Sequence, residues 1–259
     1  MMSSMEHCTR AQKLEKPSQV ERHRSPLSVH LKEVIYGGVD GIITTFAVVA
    51  GFSGAAISNE ATTQLSFLVV LLFGVANLVA DGISMGLGNY LAVRSEQSLY
   101  KNTWLKEEDA SVKNADAEED ETITILMQKG FSETDAHTLA TIYRKNDQYW
   151  VDFMMNNELE MSDPTRQNPI YTGLATFLSF ICFGLIPLIP FIVVGNMFAP
   201  ETVFELSAVG TGIALVLLGI LKWHIVGGTR PIRTIGEVVL VGIVAALAAF
   251  FIGTLFTIG

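Results

Sequence analysis

Residues 65–90 read LSFLVVLLFGVANLVADGISMGLGNY, an apolar run long enough to cross a bilayer that nevertheless carries Asp81 and Met85. A carboxylate near the centre of a spanning helix costs about 2.5 to 3.5 kcal/mol on insertion scales, so it normally faces a cavity, a partner or a cargo. Asn77, Asp81 and Met85 are spaced i, i+4, i+8, which stacks an amide, a carboxylate and a thioether on one helical face. Such a face suits a borderline-soft divalent metal, because magnesium or calcium would gain nothing from the sulfur. On the residues alone, Met85 could instead fill a gap between Gly82, Gly86 and Gly88.

The rest of the chain repeats that apolar pattern. Of its 259 residues 49% are hydrophobic and only 17% charged, and the weakly charged runs fall near 34–57, 65–91, 170–199, 203–221 and 234–258. Each approaches or exceeds the roughly 20 residues a spanning helix needs, which predicts an all-α membrane protein with five transmembrane helices. The formal charge of −9 is concentrated in residues 94–168, where sixteen Asp or Glu stand against eight Lys or Arg. A segment of that sign repels nucleic acid and attracts cations, so no nucleic-acid partner is expected.

Four regions follow: a flexible tail over 1–30, spans 1 and 2 over 31–93, an acidic metal-binding domain over 94–168, and spans 3 to 5 over 169–259. The tail has no apolar h-region of a signal peptide. Cys8 in the tail and Cys182 in the third run give no disulfide framework. Lysines and arginines occur only before span 1, between spans 2 and 3, and between spans 4 and 5. The positive-inside rule therefore places the N-terminus and the acidic domain in the cytosol and the C-terminus outside.

In the first span, residues 33–57, EVIYGGVDGIITTFAVVAGFSGAAI, set Glu33 and Asp40 two turns apart on nearly one face. Asp40 lies within the apolar stretch, with Thr44 and Thr45 one turn deeper and Gly37, Gly38 and Gly41 open to a neighbouring helix. The bland alternative is that the glycines only pack and Asp40 only caps or pairs with Lys32. Past Tyr90 no Pro or Gly intervenes in LAVRSEQSLYKNTWLKEED, so the second helix should continue as a polar stalk. A joint at 111–115 should lead to a helix over 116–130 with Gly130 at its C-cap, then one opened by Ser132 and Asp135 and running to about Lys145. A third should run from about Asp147 to Met161. The acids Glu107, Glu108, Asp109, Asp116, Glu118, Glu119, Asp120 and Glu121 read either as a solvated face or as a cation site. Met154 and Glu158, i and i+4 with Met155 alongside, favour the site, although these methionines could be core with Trp150 and Phe153. His137 has no histidine partner at helical spacing and reads as structural.

Pro187 and Pro190 should break the third span. Gly212, Gly219, Gly236, Gly242 and Gly253 favour tight packing of the last two. Five helices make a thin wall around a path, so a homodimer is expected. No phosphate loop or nucleophile motif is present, which argues against an enzyme, an ATP-driven pump or an organic cofactor.

The sequence resembles the vacuolar iron transporter family from about Glu33 onward. The resemblance rests on VDGIITTFAVVAGFSGA at 39–55, ISMGLGNYLAVRSE at 83–96, MQKGFSETDA at 127–136, VDFMMNNELE at 151–160, and the FGLIPLIPF and GIVAALAAFFIG runs. It implies a homodimer of five-helix protomers that exchanges cytosolic Fe²⁺, its transported substrate, for protons, with manganese or cobalt sometimes accepted. It further implies that Asp40 and Met85 are intramembrane metal ligands and that Glu33 stands near the cytosolic entrance. Glu107, Glu118, Glu121, Met154, Met155 and Glu158 match positions that bind metal in the cytosolic domain. Two positions depart from the pattern. Asn77 stands where many members have a glutamate, leaving Asp81 as the acid one turn later and as the candidate for proton coupling with Asp40. Ala110 replaces a second stalk glutamate. A bacterial inner membrane or a vacuolar membrane fits this orientation, and a membrane metal sensor that binds iron without transport is the alternative reading.

Overall fold

Helix formation follows the apolar runs and the caps between them. The computed structural model describes residues 30–56, 63–194, 197–226 and 230–255, and no strand occurs among them. The expectation for the N-terminal tail, apart from His30, lies outside the described residues. In chain order the helices are α1 (Leu31–Ala56), α2 (Thr63–Lys113), α3 (Ala115–Gln128), α4 (Glu133–Tyr143), α5 (Asp147–Asn157), α6 (Pro169–Gly184), α7 (Ile189–Val194), α8 (Pro200–Val226) and α9 (Pro231–Leu255). Five segments, carried by α1, α2, α6 with α7, α8 and α9, are long and apolar enough to cross a membrane. The described residues form two compact units, one of 30–82 with 175–255 and one of 83–174.

In the first unit α1, α8 and α9 pack on one another. Ile42, Ala214, Leu215, Leu218 and Val238 form their shared core, flanked by Val39, Phe183 and Ile186. The contact of α1 with α6 is closer, because it is made backbone to backbone. A methyl group at Gly37 would stand 2.6 Å from the Thr176 carbonyl oxygen, and one at Gly41 would strike the Phe180 carbonyl. In the last two spans the glycines behave unequally: side chains at Gly219 and Gly242 would meet Ile235 and Leu215, whereas no described residue approaches a side chain at Gly212 or Gly236.

The third span breaks at its prolines. α6 stops at Gly184, a 3-10 turn covers Ile186–Leu188, and α7 resumes at Ile189. Proline lacks the amide that would continue the ladder. Ser207 Oγ donates to the Pro187 carbonyl at 2.7 Å, which satisfies a buried acceptor left by the break.

In the second unit α2 runs on past its apolar part without interruption to Lys113. At about 1.5 Å per residue the 51-residue helix is about 75 Å long. The joint reduces to Asn114, after which α3 starts at once. Gly130, at φ +97°, turns the chain after α3, and the Ser132 hydroxyl accepts the Asp135 amide to open α4. α4 ends at Tyr143 and α5 at Asn157, each short of the expected Lys145 and Met161. The second difference has a visible cause: the Leu159 and Met161 amides fold back onto the Met154 and Met155 carbonyls, and Glu160 adopts φ +51°.

Candidate metal centre

The acidic run separates into acids with basic partners and acids without. Asp109 pairs with Lys113 at 2.7 Å, and Arg144 on the turn after α4 holds Asp116 at 3.0 Å and Glu119 at 2.6 Å. These are exposed or rim pairs, of the kind that screen surface charge. Glu107 and Glu118 have no such partner among the described residues: the two carboxyl groups share a hydrogen bond with each other, while Glu107 Oε1 and Glu118 Oε2 are buried and accept none from a described residue.

Three helices bring the unpartnered acids together. Glu107 comes from the polar part of α2, Glu118 from the first turn of α3, and Glu158 from the C-cap of α5. One carboxylate oxygen of each lies within 4.8 Å of the others. Glu121, exposed and one turn beyond Glu118, adds its charge to this cluster and shares a hydrogen bond with Glu158.

Electrostatics follow from the crowding. Burial, and then the charges of Glu118 and Glu158, push the Glu107 carboxyl up to about 7. Burial followed by Glu121 raises Glu118, and burial followed by Glu121 and Glu118 raises Glu158. Like charges gathered in a partly dehydrated site resist joint ionisation unless a proton or a cation is shared among them. With one oxygen from each of three acids within 4.8 Å of the others, the cluster offers a set of hard donors suited to a divalent ion.

The thioethers lie in the supporting core. Met154 and Met155 are 1% and 0% exposed. Met155 packs with Tyr100 and Val151, flanked by Trp104 and Met161. The Met154 sulfur is 3.3 Å from Thr122 Oγ1, which also lies 2.8 Å from the Glu118 carbonyl oxygen and accepts the Trp150 indole N–H at 2.8 Å. Thr122 therefore links the backbone of Glu118 to α5. Its sequence signal, a threonine one turn after Glu118, is too common to single it out.

In the first unit, Asp40 is half-buried and near enough to Asp81 for their charges to interact. Asn77 Nδ2 donates to Asp81 Oδ2 at 2.8 Å, so the amide one turn earlier fixes one carboxylate oxygen and leaves the other. Thr44 donates to the Asp40 carbonyl at 2.8 Å, and the buried Thr45 hydroxyl has no partner among the described residues. Glu33 is 9% exposed, and its Oε2, 4.0 Å from His30 Nδ1, accepts no hydrogen bond from a described residue. Met85 is half-buried one turn beyond Asp81 on α2. Ala110, at the departure noted in the stalk, is half-buried and offers no donor.

Comparison with known proteins adds an independent line. The VIT family profile matches residues 31–254. The chain is 33% identical over 220 residues to vacuolar iron transporter 1 of Arabidopsis thaliana, covering 85% of this chain and 83% of that protein. It is 33% identical over 231 residues to vacuolar iron transporter 1 of Oryza sativa subsp. japonica, with 89% and 86% covered. It is 35% identical over 245 residues to the vacuolar iron transporter of Toxoplasma gondii, with 91% and 77% covered.

Proposed function

The chain belongs to the VIT family, and on that premise we propose that it transports iron as Fe²⁺ out of the cytosol, across a vacuolar or bacterial inner membrane, in exchange for protons. The names of its relatives support iron as the cargo. The observation that carries the reading is the Glu107, Glu118 and Glu158 cluster with its two unpartnered buried oxygens, in a chain with five spans. Acids without bases gather at one point only at a cost, and a divalent ion offsets it.

In this reading the cluster captures Fe²⁺ on the cytosolic side, with Glu121 contributing charge and Met154 and Met155 contributing thioethers. The ion then passes Glu33 to the intramembrane groups Asp40, Asp81 and Met85. A protein that does this as a homodimer doubles each acid and methionine along the path. Proton exchange follows from competition, since a carboxylate binds a proton or a metal but holds both poorly. Asp81 takes the acidic role that Asn77 cannot supply, and Asn77 orients it.

The test is anaerobic Fe²⁺ uptake into proteoliposomes with an acidic or a neutral interior, comparing the wild-type chain with Asp40→Ala. Uptake that needs both the acidic interior and Asp40 is the expected result. Wild-type uptake by Asp40→Ala would remove the intramembrane assignment, and metal binding with no uptake in either gradient would turn the reading to a membrane sensor.

A further inference from the structure

The second unit also holds a cavity of about 460 Å³ that the metal reading does not use, lined by Tyr90, Arg94, Gln97, Arg166 and Asn168 among nine residues, none of them acidic. Its position is set by the antiparallel contact of α2 with α6. A methyl group at Gly173 would stand 2.6 Å from the Gly86 carbonyl oxygen, so the two helices nearly touch there. Stepping back along α6 and forward along α2 from that contact brings the segment around Arg166 level with Arg94. Gln97 Nε2 locks this register by donating to the Pro164 and Gln167 carbonyls at 3.1 and 2.8 Å.

At that level the exposed apolar surface of the two helices gives way to polar side chains. Leu87, Leu91, Ile170 and Tyr171 are all more than half exposed on the apolar side of the cavity. Arg94 is the first charged residue after the apolar run, which ends in Leu91, Ala92 and Val93. Its long side chain can therefore lie along the apolar edge and carry the guanidinium out to the phosphate layer. Tyr90 sits at the boundary, where aromatic side chains concentrate.

The charge is equally placed. Although residues 94–168 carry twice as many acids as bases, neither Arg94 nor Arg166 forms an ion pair among the described residues, in contrast to Arg144 and Arg233. Asp163 feels the charge of Arg166, but its carboxylate accepts the Thr165 amide at 2.8 Å and does not line the cavity. Two guanidinium groups without carboxylate partners among the described residues, at the end of the apolar surface, match a phosphate.

We propose that the cavity between residues 90–97 of α2 and residues 165–170 binds the phosphate of an anionic phospholipid, held by Arg94 and Arg166, in the leaflet at this end of α2. The site rests on the membrane-spanning architecture and not on the identity of the cargo. A lipid held there would fix the depth at which the polar part of α2 leaves the bilayer.

The shared chemistry with a soluble phosphate is separated by the choice of probes. Full-length protein in neutral detergent is titrated with phosphatidic acid and with phosphatidylcholine, read by native mass spectrometry, with and without excess inorganic phosphate. The wild type should bind phosphatidic acid in preference, and inorganic phosphate should not displace it. The double variant Arg94→Gln with Arg166→Gln should bind phosphatidic acid roughly tenfold to thirtyfold more weakly, the loss expected for two arginines at a membrane surface. Arg94→Lys with Arg166→Lys, which keeps the charge, should lose less and covers the case in which the glutamine variant does not fold. Lys101→Gln with Lys106→Gln removes the same charge from the stalk and should change nothing. Unchanged binding in the arginine variants, an equal loss in the lysine control, or displacement by inorganic phosphate would each overturn the proposal.

Discussion

The two acidic regions of this protein are built by opposite means. Asp40 and Asp81 sit in helices held together by backbone contact, where Gly37 and Gly41 let α1 approach α6 until carbonyl oxygens limit the distance. Glu107, Glu118 and Glu158 come instead from three helices kept in place by large side chains, with Trp150, Val151, Met154 and Met155 almost fully buried beneath them. Lipid supplies no hydrophobic drive between helices, so the first region depends on shape. In the proposed cytosolic placement water supplies that drive to the second, which can then carry uncompensated charge on an ordinary core. The lesson is that a single methyl group should damage the first region, whereas the second should lose its chemistry before its fold.

The largest expected effect tests the first half of that contrast. Gly41→Leu places a side chain against the Phe180 backbone, which cannot move as a side-chain tip would. Overpacking of this kind costs about 3 kcal/mol, and full-length protein should lose its monodisperse elution in detergent. Leu at Gly236, which has open space around it, is the matched control and should elute normally. Equal behaviour of the two variants would break the comparison.

Next in size is the chemistry of the second region. Glu107→Ala with Glu118→Ala removes two of the three converging oxygens, and loss of two charged donors should weaken Fe²⁺ or Mn²⁺ binding at least about 100-fold by calorimetry. The helices should remain, since neither acid belongs to the apolar core formed by Ile123, Leu126, Ala136 and Ala140. In proteoliposomes the half-saturating metal concentration should rise more than the maximal rate falls. A variant that abolishes uptake at saturating metal would show that capture and translocation are not separable in this way.

How far the sequence carried each region follows from the range of the interactions involved. The five spans were legible because a bilayer requires long apolar runs, and the break at Pro187 because proline removes an amide. The Ser132 and Gly130 caps were legible because they act over a few residues. The Asn77 to Asp81 bond joins groups one turn apart, and the i, i+4 spacing already placed them on one face. The sorting of the acidic run was not legible. Arg144 reaches Asp116 and Glu119 across 28 and 25 residues, and Trp150 reaches Thr122 across 28. No periodicity records contacts of that span, so Glu119 and Glu118 look alike in sequence yet face a base and an unpartnered cluster respectively.

The smallest expected effect is also the most diagnostic of crowded charge, because it gives metal binding and folding opposite pH slopes. Glu107 is raised from its ordinary 4.5 to about 7, chiefly by burial and then by Glu118 and Glu158. The folded protein therefore holds a proton that the unfolded chain releases between those values. Its stabilising contribution is complete below about pH 4.5 and is lost as the pH rises through about 7, so without metal this region should loosen over that window. Hydrogen exchange of α3 and α5 amides in the full-length protein should accelerate beyond the intrinsic base-catalysed increase. Metal binding should run the other way, strengthening with rising pH by up to about tenfold per unit for each displaced proton until about pH 7. Glu107→Gln should flatten both slopes at once. A metal affinity that does not change between pH 5.5 and 7 would mean that Glu107 holds no competing proton, and the second region would then differ from the first in packing alone.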